Sequence, residues 1–370
     1  MTKESDLPFS FGSLQQGDYI WLTLTNLCNI HCKYCFNYVY KDHQHMSPEL
    51  AKNIIKTHLV SLDKKGTDLF KVIYFGGEPT LNHDALISTV DFLIENDVNC
   101  HQCLMTNGIY NTKTFNALLG KGIDFQVSYD GAVGNLRYSK NQKKVIVNET
   151  VDTIKKLISN HETVKIRATI HNGNVQNIPD LVRFCDKNNI AYLMCSPICD
   201  FGDSRKNNVQ QPDVDRYVES LHNAYELSLK YGVNLEIRGE SYFKNLKNSR
   251  LNVPFVWFPD GYVAMTITYA SSKEKGANNI IIGKYDEFQK KIILNNPYIE
   301  QMKDNFKRNF EKYCAECPLK DKCRGDIHFT PFATDTFDPK RDYYFCNIAK
   351  KMVQAFPDRY FNTDNSDFSY

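Results

Sequence analysis

No apolar run in the 370-residue sequence approaches the length needed to cross a bilayer. The N-terminus, MTKESDLPFSFGS, lacks the basic-then-apolar pattern of a secretory signal. Charge of one sign is not in excess: the formal net charge is +2, which gives no basic surface for nucleic acid and no complement for a strongly acidic partner. Short-period repeats and low-complexity segments are also missing. These absences predict a globular cytoplasmic protein with no membrane or nucleic-acid partner, long enough for one large α/β domain and a smaller one. Cysteine, by contrast, is plentiful at twelve residues. Disulfides are not expected in a reducing compartment, so clustered cysteines are read as metal ligands or redox groups. Three fall at 28–35, three at 314–323 and one at 346, with Cys100, Cys103, Cys185, Cys195 and Cys199 scattered between. Clusters at both ends predict two separate metal sites.

From residue 20 to about 230 short β-like runs alternate with amphipathic helical stretches. The pattern predicts strands at Trp21–Thr25, Lys71–Phe75, Asn99–Met105, Asp124–Ser128, Val164–Ile170 and Ile190–Cys195. Helices are predicted near 47–63, 83–96, 112–120, 147–160, 177–188 and 212–231, the first with Ser47 as cap and Pro48 at its first position. Strand–helix units in series imply parallel strands with right-handed crossovers, in a partial barrel or a doubly wound sheet. In both, functional groups gather at the carboxyl ends of the strands. After residue 232 the rhythm gives way to short strands (233–238, 261–268, 279–283), a helical stretch near 297–311 and a cysteine-rich, loop-like tail. A domain boundary is therefore expected near 232, dividing 1–232 from 233–370.

Cys28-Asn-Ile-His-Cys32-Lys-Tyr-Cys35 directly follows the first strand. Three thiolates at this spacing can wrap one cluster while leaving one metal position without a protein ligand, and thiolate-only sets suit iron–sulfur clusters or zinc. A structural zinc site normally closes with four ligands, and His31, adjacent to Cys32, is awkwardly placed to be the fourth. The motif, with the aromatic Tyr34 before its last cysteine, resembles the signature of radical S-adenosylmethionine (SAM) enzymes. That resemblance implies a partial (β/α)6 TIM-type barrel and a 4Fe–4S cluster whose open iron chelates the amino and carboxylate groups of SAM. It also implies reductive cleavage of SAM to a 5′-deoxyadenosyl radical that abstracts a substrate hydrogen, with an electron donor such as flavodoxin or ferredoxin.

Other strand-end segments fall where such a family would place them. Gly76-Gly77-Glu78-Pro79-Thr80 follows the second strand; its glycines permit close backbone approach, and it is also readable as an ordinary turn. The resemblance assigns it to the SAM amino group, with Glu78 as a polar contact. Thr106-Asn107-Gly108 ends the third strand, beside the SAM site by resemblance and a common turn dipeptide otherwise. Ser128-Tyr129-Asp130-Gly131 ends the fourth and resembles the family's Ser-x-Asp-Gly, in which the serine contacts SAM. Arg137 or Lys140 is the candidate to pair with the SAM carboxylate. Arg167, inside the fifth strand, either faces SAM or pairs structurally.

The second group, Cys314, Cys317, Cys323 and Cys346, satisfies a closed zinc site as well as a fully ligated iron–sulfur cluster. It resembles the SPASM extension of radical SAM enzymes, with two departures: Ile327 stands where a further cysteine is expected, and the segment from Phe258 ends at Thr266 where the family has cysteine. The missing residues belong to the family's inner auxiliary cluster, so the resemblance implies one auxiliary 4Fe–4S cluster, in a reduced, twitch-like domain. Cys195 and Cys199 follow the sixth strand; either is a candidate hydrogen-atom donor to a substrate radical, or a small buried hydrophobe.

SPASM-type enzymes mostly modify peptides or proteins, so the resemblance implies a peptide or protein substrate and a crosslinking maturase. Peptide epimerisation, protein maturation and small-molecule epimerisation or dehydrogenation are the other enzyme readings, and a zinc-stabilised binding protein is the non-enzyme one. With the first cysteine at residue 28, the preceding stretch is too short for a fused leader-binding domain of usual size, which places substrate recognition on the catalytic body or a separate protein.

Overall fold

The structure, a computed structural model, describes residues 10–11, 19–36, 43–63, 70–237, 250–251, 255–320, 323 and 328–356. Its first half alternates strand and helix: β1 (Tyr19–Thr25), α1 (Pro48–Asp63), β2 (Phe70–Gly76), α2 (His83–Glu95), β3 (Cys100–Thr106), α3 (Thr112–Leu118) and β4 (Asp124–Ser128). It continues through α4 (Asn148–Ser159), β5 (Val164–Ile170), α5 (Ile178–Lys187), β6 (Tyr192–Pro197), α6 (Val214–Tyr231) and β7 (Asn234–Ile237). These seven strands lie side by side in chain order, each parallel to the next. Sequential order is that of a barrel wall; a doubly wound sheet reverses direction part-way.

Local chemistry explains the helix limits. Ser47 Oγ accepts from the Leu50 amide at 3.1 Å, with Pro48 at the first helical position of α1. Asp213 caps α6 through the Asp215 and Arg216 amides, and Gly232, at φ +69°, ends it in the left-handed conformation.

Alternation along the strands sends two sets of side chains to opposite faces. Ile20, Leu22, Val72, Leu104, Phe125, Ile166, Ala168 and Leu193 join the apolar stripes of α1 to α6 in the main core. Trp21, Ile73, Phe75 and Cys103 form a second core on the inner face, with no α-helical residue in it among the described residues. One end of that face is closed by charge: Asp124 meets His101 Nε2 and Lys165 Nζ, both at 2.6 Å.

The sheet carries on past residue 232. β7 lies parallel on β6, and on the far side β8 (Phe255–Trp257) lies parallel on β1, followed by antiparallel β9 (Tyr262–Ala264), β10 (Ile281–Asp286) and β11 (Lys291–Leu294). Val256, Phe258 and Ala264 extend the inner apolar layer. The described residues close with α7 (Asn296–Cys314), α8 (Phe329–Ala333) and α9 (Pro339–Ala355). The described part of the tail expected to be loop-like is thus largely helical, and Cys346 sits within α9. Ile348, Ala349, Met352 and Val353 form its buried apolar stripe. Among the described residues no helix is long and apolar enough to cross a membrane.

Candidate active site

The loop carrying Cys28, Cys32 and Cys35 leaves the carboxyl end of β1 and is fastened by its neighbours' backbones. The Gly77 amide donates to the Thr25 carbonyl at 2.9 Å and the Glu78 amide to the Leu27 carbonyl at 2.7 Å. This contact is why glycine is needed twice. A Cβ at Gly76, itself at φ +147°, would lie 2.2 Å from the Thr25 oxygen, and one at Gly77 would lie 2.2 Å from the Leu27 oxygen. The Gly-Gly segment therefore seats the chain that leads into Cys28.

Glu78 is fully buried. One carboxylate oxygen accepts from the hydroxyls of Thr80 (2.7 Å) and Thr106 (2.8 Å), the other from the Asn107 amide (2.7 Å). Burial raises its pKa while these donors oppose the rise. Pro79 begins the short 3-10 turn behind it. The carboxylate thus ties the end of β2 to the end of β3. Asn107, so placed, donates to Asn29 Oδ1 at 2.8 Å and lies 3.7 Å from Cys28 Sγ.

On the other side, Ile30–Cys32 pairs antiparallel with Arg137–Ser139, and Cys32 stands directly opposite Arg137. Arg137 is 1% exposed; it donates to the carbonyls of Ser128 and Asn107. Among the described residues its buried Nε has no hydrogen-bond partner. Lys140, the other basic candidate, lies exposed at the ribbon's turn. Tyr34 donates its hydroxyl to buried Asp130, which also accepts from the Thr169 amide at 2.8 Å. Arg167 projects to the inner face with Lys165 and Thr169, in register with Ser128, and donates to Met105 Sδ at 3.7 Å.

The residues Tyr34, Gly76, Gly77, Glu78, Pro79, Asn107, Ser128, Asp130 and Arg137 are therefore brought to one set of strand ends around the cysteine loop. Cys195 is not. It is 0% exposed, in register with Ala168 and Ile237, and packs in the sheet–helix core, where burial raises its thiol pKa. This corrects its candidacy as a hydrogen donor: even–odd alternation turns its side chain to the helices. Cys199 lies two residues beyond β6, half-buried, in a loop fixed by Ser204 Oγ. Sequence reasoning missed two supports. Asn29 anchors Asn107, and Gly202–Asp203 brace the cluster loop, with the Asp203 amide donating to the Cys35 carbonyl at 2.8 Å. The Gly-Asp pair after β6 was the available signal for the second.

The second cysteine group lies at the end of α7, in the turn that follows, and on α9. The Cys317 amide donates to the Cys314 carbonyl at 3.0 Å. Burial pushes the Cys314 and Cys346 thiols up to about 12, and each is raised further by Cys317 and Cys323, which places the four in one locality. His328, 2% exposed, sets its Nε2 2.8 Å from Cys346 Sγ. Ile327 lies outside the described residues, and Thr266 Oγ1 shares a hydrogen bond with Thr268 at 2.9 Å.

Among the described residues no three His, Cys, Asp or Glu side chains are closed to metal-binding geometry. The fit of a cluster is judged instead on the donors and their surroundings. Burial pushes the Cys32 thiol up to about 12, and Arg137 is the group that opposes it. Bound metal removes that penalty by holding the sulfurs as thiolates. Three thiols beside a buried cation with a free N–H suit an iron–sulfur cluster and an anionic group of its ligand.

Residues 22–185 match the radical SAM superfamily. An uncharacterised protein of Methanocaldococcus jannaschii is 30% identical over 45% of this chain and 57% of its own length. The radical SAM cyclopropyl synthase TigE of Paramaledivibacter caminithermalis is 24% identical over 58% of this chain and 47% of its own length. The chain thus spans about half the length of these curated relatives. Among solved structures, native anSMEcpe with bound AdoMet and the Cp18Cys peptide superposes with a TM-score of 0.68 at 16% identity, covering 93% of this chain and 98% of that one. The fold is that of the partial TIM-type barrel.

Proposed function

We propose that this protein uses SAM bound at the Cys28–Cys35 loop to modify a peptide or protein, with side-chain crosslinking as the reaction. The observation that carries the SAM site is Arg137: a buried guanidinium opposite Cys32, its Nε without a partner among the described residues. When bound, a 4Fe–4S cluster and SAM supply one-electron cleavage and a 5′-deoxyadenosyl radical for hydrogen abstraction. Cys28, Cys32 and Cys35 would hold three irons, and Arg137 would pair with the SAM carboxylate. Gly76 and Gly77 let the β2 backbone come close to the loop, and Glu78 and Asn107 keep the ends of β2 and β3 fixed beside it. Tyr34 and Asp130 fix the loop's last turn against β4 and β5. Cys314, Cys317, Cys323 and Cys346 would hold one auxiliary 4Fe–4S cluster, and a flavodoxin or ferredoxin would supply electrons.

Support for a peptide substrate comes from the peptide seen with anSMEcpe. Incubation of the reduced enzyme with a short peptide encoded beside its gene tests this reading. Loss of two hydrogens in the peptide mass is expected. Solvent deuterium uptake without mass loss would replace crosslinking by epimerisation, and an unmodified peptide would reject it as the substrate.

A further inference from the structure

His328 is almost fully buried at the second cysteine group, between the Phe332 ring (5.4 Å) and the Phe337 ring (4.9 Å). Its Nε2 reaches Cys346 Sγ at 2.8 Å. The rings hold the imidazole plane, so this contact is set by packing rather than by a swinging surface side chain. Nothing about a cluster ligated by four cysteines requires such a contact. A buried imidazole aimed at a single sulfur does have a defined chemical effect. Hydrogen bonds to ligand sulfurs stabilise the reduced, more negative form of an iron–sulfur cluster and raise its potential.

We infer that His328 is a positioning residue of the auxiliary cluster, donating Nε2–H to Cys346 Sγ and thereby raising that cluster's reduction potential. This rests on the reading of Cys314, Cys317, Cys323 and Cys346 as cluster ligands. The electron itself comes from an external one-electron donor, a flavodoxin or ferredoxin in the cell and titanium(III) citrate in the test. His328 supplies no electron and keeps its proton; it shifts how far the cluster accepts one.

The test is a redox titration followed by electron paramagnetic resonance, in full-length chain carrying Cys28→Ala, Cys32→Ala and Cys35→Ala, so that only the second cluster contributes. At a fixed potential, His328→Leu should lower the ratio of reduced to oxidised cluster by about tenfold, equivalent to about 59 mV for one electron. His328→Gln, which keeps an N–H donor, should recover part of that shift. An unchanged ratio in His328→Leu with the cluster present overturns the inference alone. Loss of cluster iron from both His328 variants also overturns it, since His328 would then be needed for assembly. Absence of four irons in the parent triple variant overturns both the inference and the auxiliary-cluster reading.

Discussion

The two cysteine groups of this chain are built differently. The first is held by backbone: its loop is pinned by amides of Gly77 and Glu78, by an antiparallel pairing to Arg137, and by the Asp203 amide on the Cys35 carbonyl. The second is held by helix ends and aromatic packing, with Tyr313 against Phe337 at 4.5 Å and Phe306 against Phe332 at 5.7 Å. Three thiols and a free guanidinium N–H suit a site that takes a further ligand. Four thiols and an apolar wall suit a closed one, for electron relay or order. The difference teaches that the number of cysteines is a poorer guide to role than what surrounds them.

Breaking the first group should have the largest effect. Cys28→Ala with Cys32→Ala and Cys35→Ala should abolish SAM cleavage and lower iron from about eight to about four per chain, with the second cluster's absorption retained. A value of about twelve in the wild type would reveal a third cluster. Arg137→Gln removes the buried cation while keeping a planar polar group. It should raise the Kd for SAM about a hundredfold, near 3 kcal/mol, read by equilibrium binding to the reconstituted protein. Gly77→Ala forces a Cβ onto the Leu27 carbonyl. It should cost about 3 kcal/mol in denaturant unfolding and lower iron at the first site with the second unaffected. Cys195→Ala should cost about 1 kcal/mol as a small core truncation, with product formation unchanged. Loss of product without loss of stability would return Cys195 to the list of hydrogen donors.

Much of this architecture was legible in the sequence. The strands of the parallel wall and the helices between them fall within about two residues of their expected limits, because period-2 and period-3.6 patterns and caps such as Ser47 and Asp213 are local signals. The strand-end motifs pointed to one place for the same reason: a parallel sheet delivers all its carboxyl ends to one side. Pairing was not legible. Period alone left Arg137 and Lys140 equal, and only the register that sets Cys32 opposite Arg137 separates them. The partners of Glu78 were not legible either: besides Thr80, two residues on, its oxygens meet Thr106 and Asn107 at the end of the neighbouring strand. The rhythm broke at residue 232, but hydrogen bonding continued to β7, since a strand can join a sheet without a following helix. His328 carried no signal beyond its place beside Ile327.

The most direct test of the account is anaerobic reconstitution of the full chain with iron and sulfide, followed by SAM and a strong reductant, with 5′-deoxyadenosine measured alongside metal content. About eight irons per chain are expected, with 5′-deoxyadenosine formation that depends on Cys28, Cys32 and Cys35. About two zinc ions, no iron and no 5′-deoxyadenosine would contradict it.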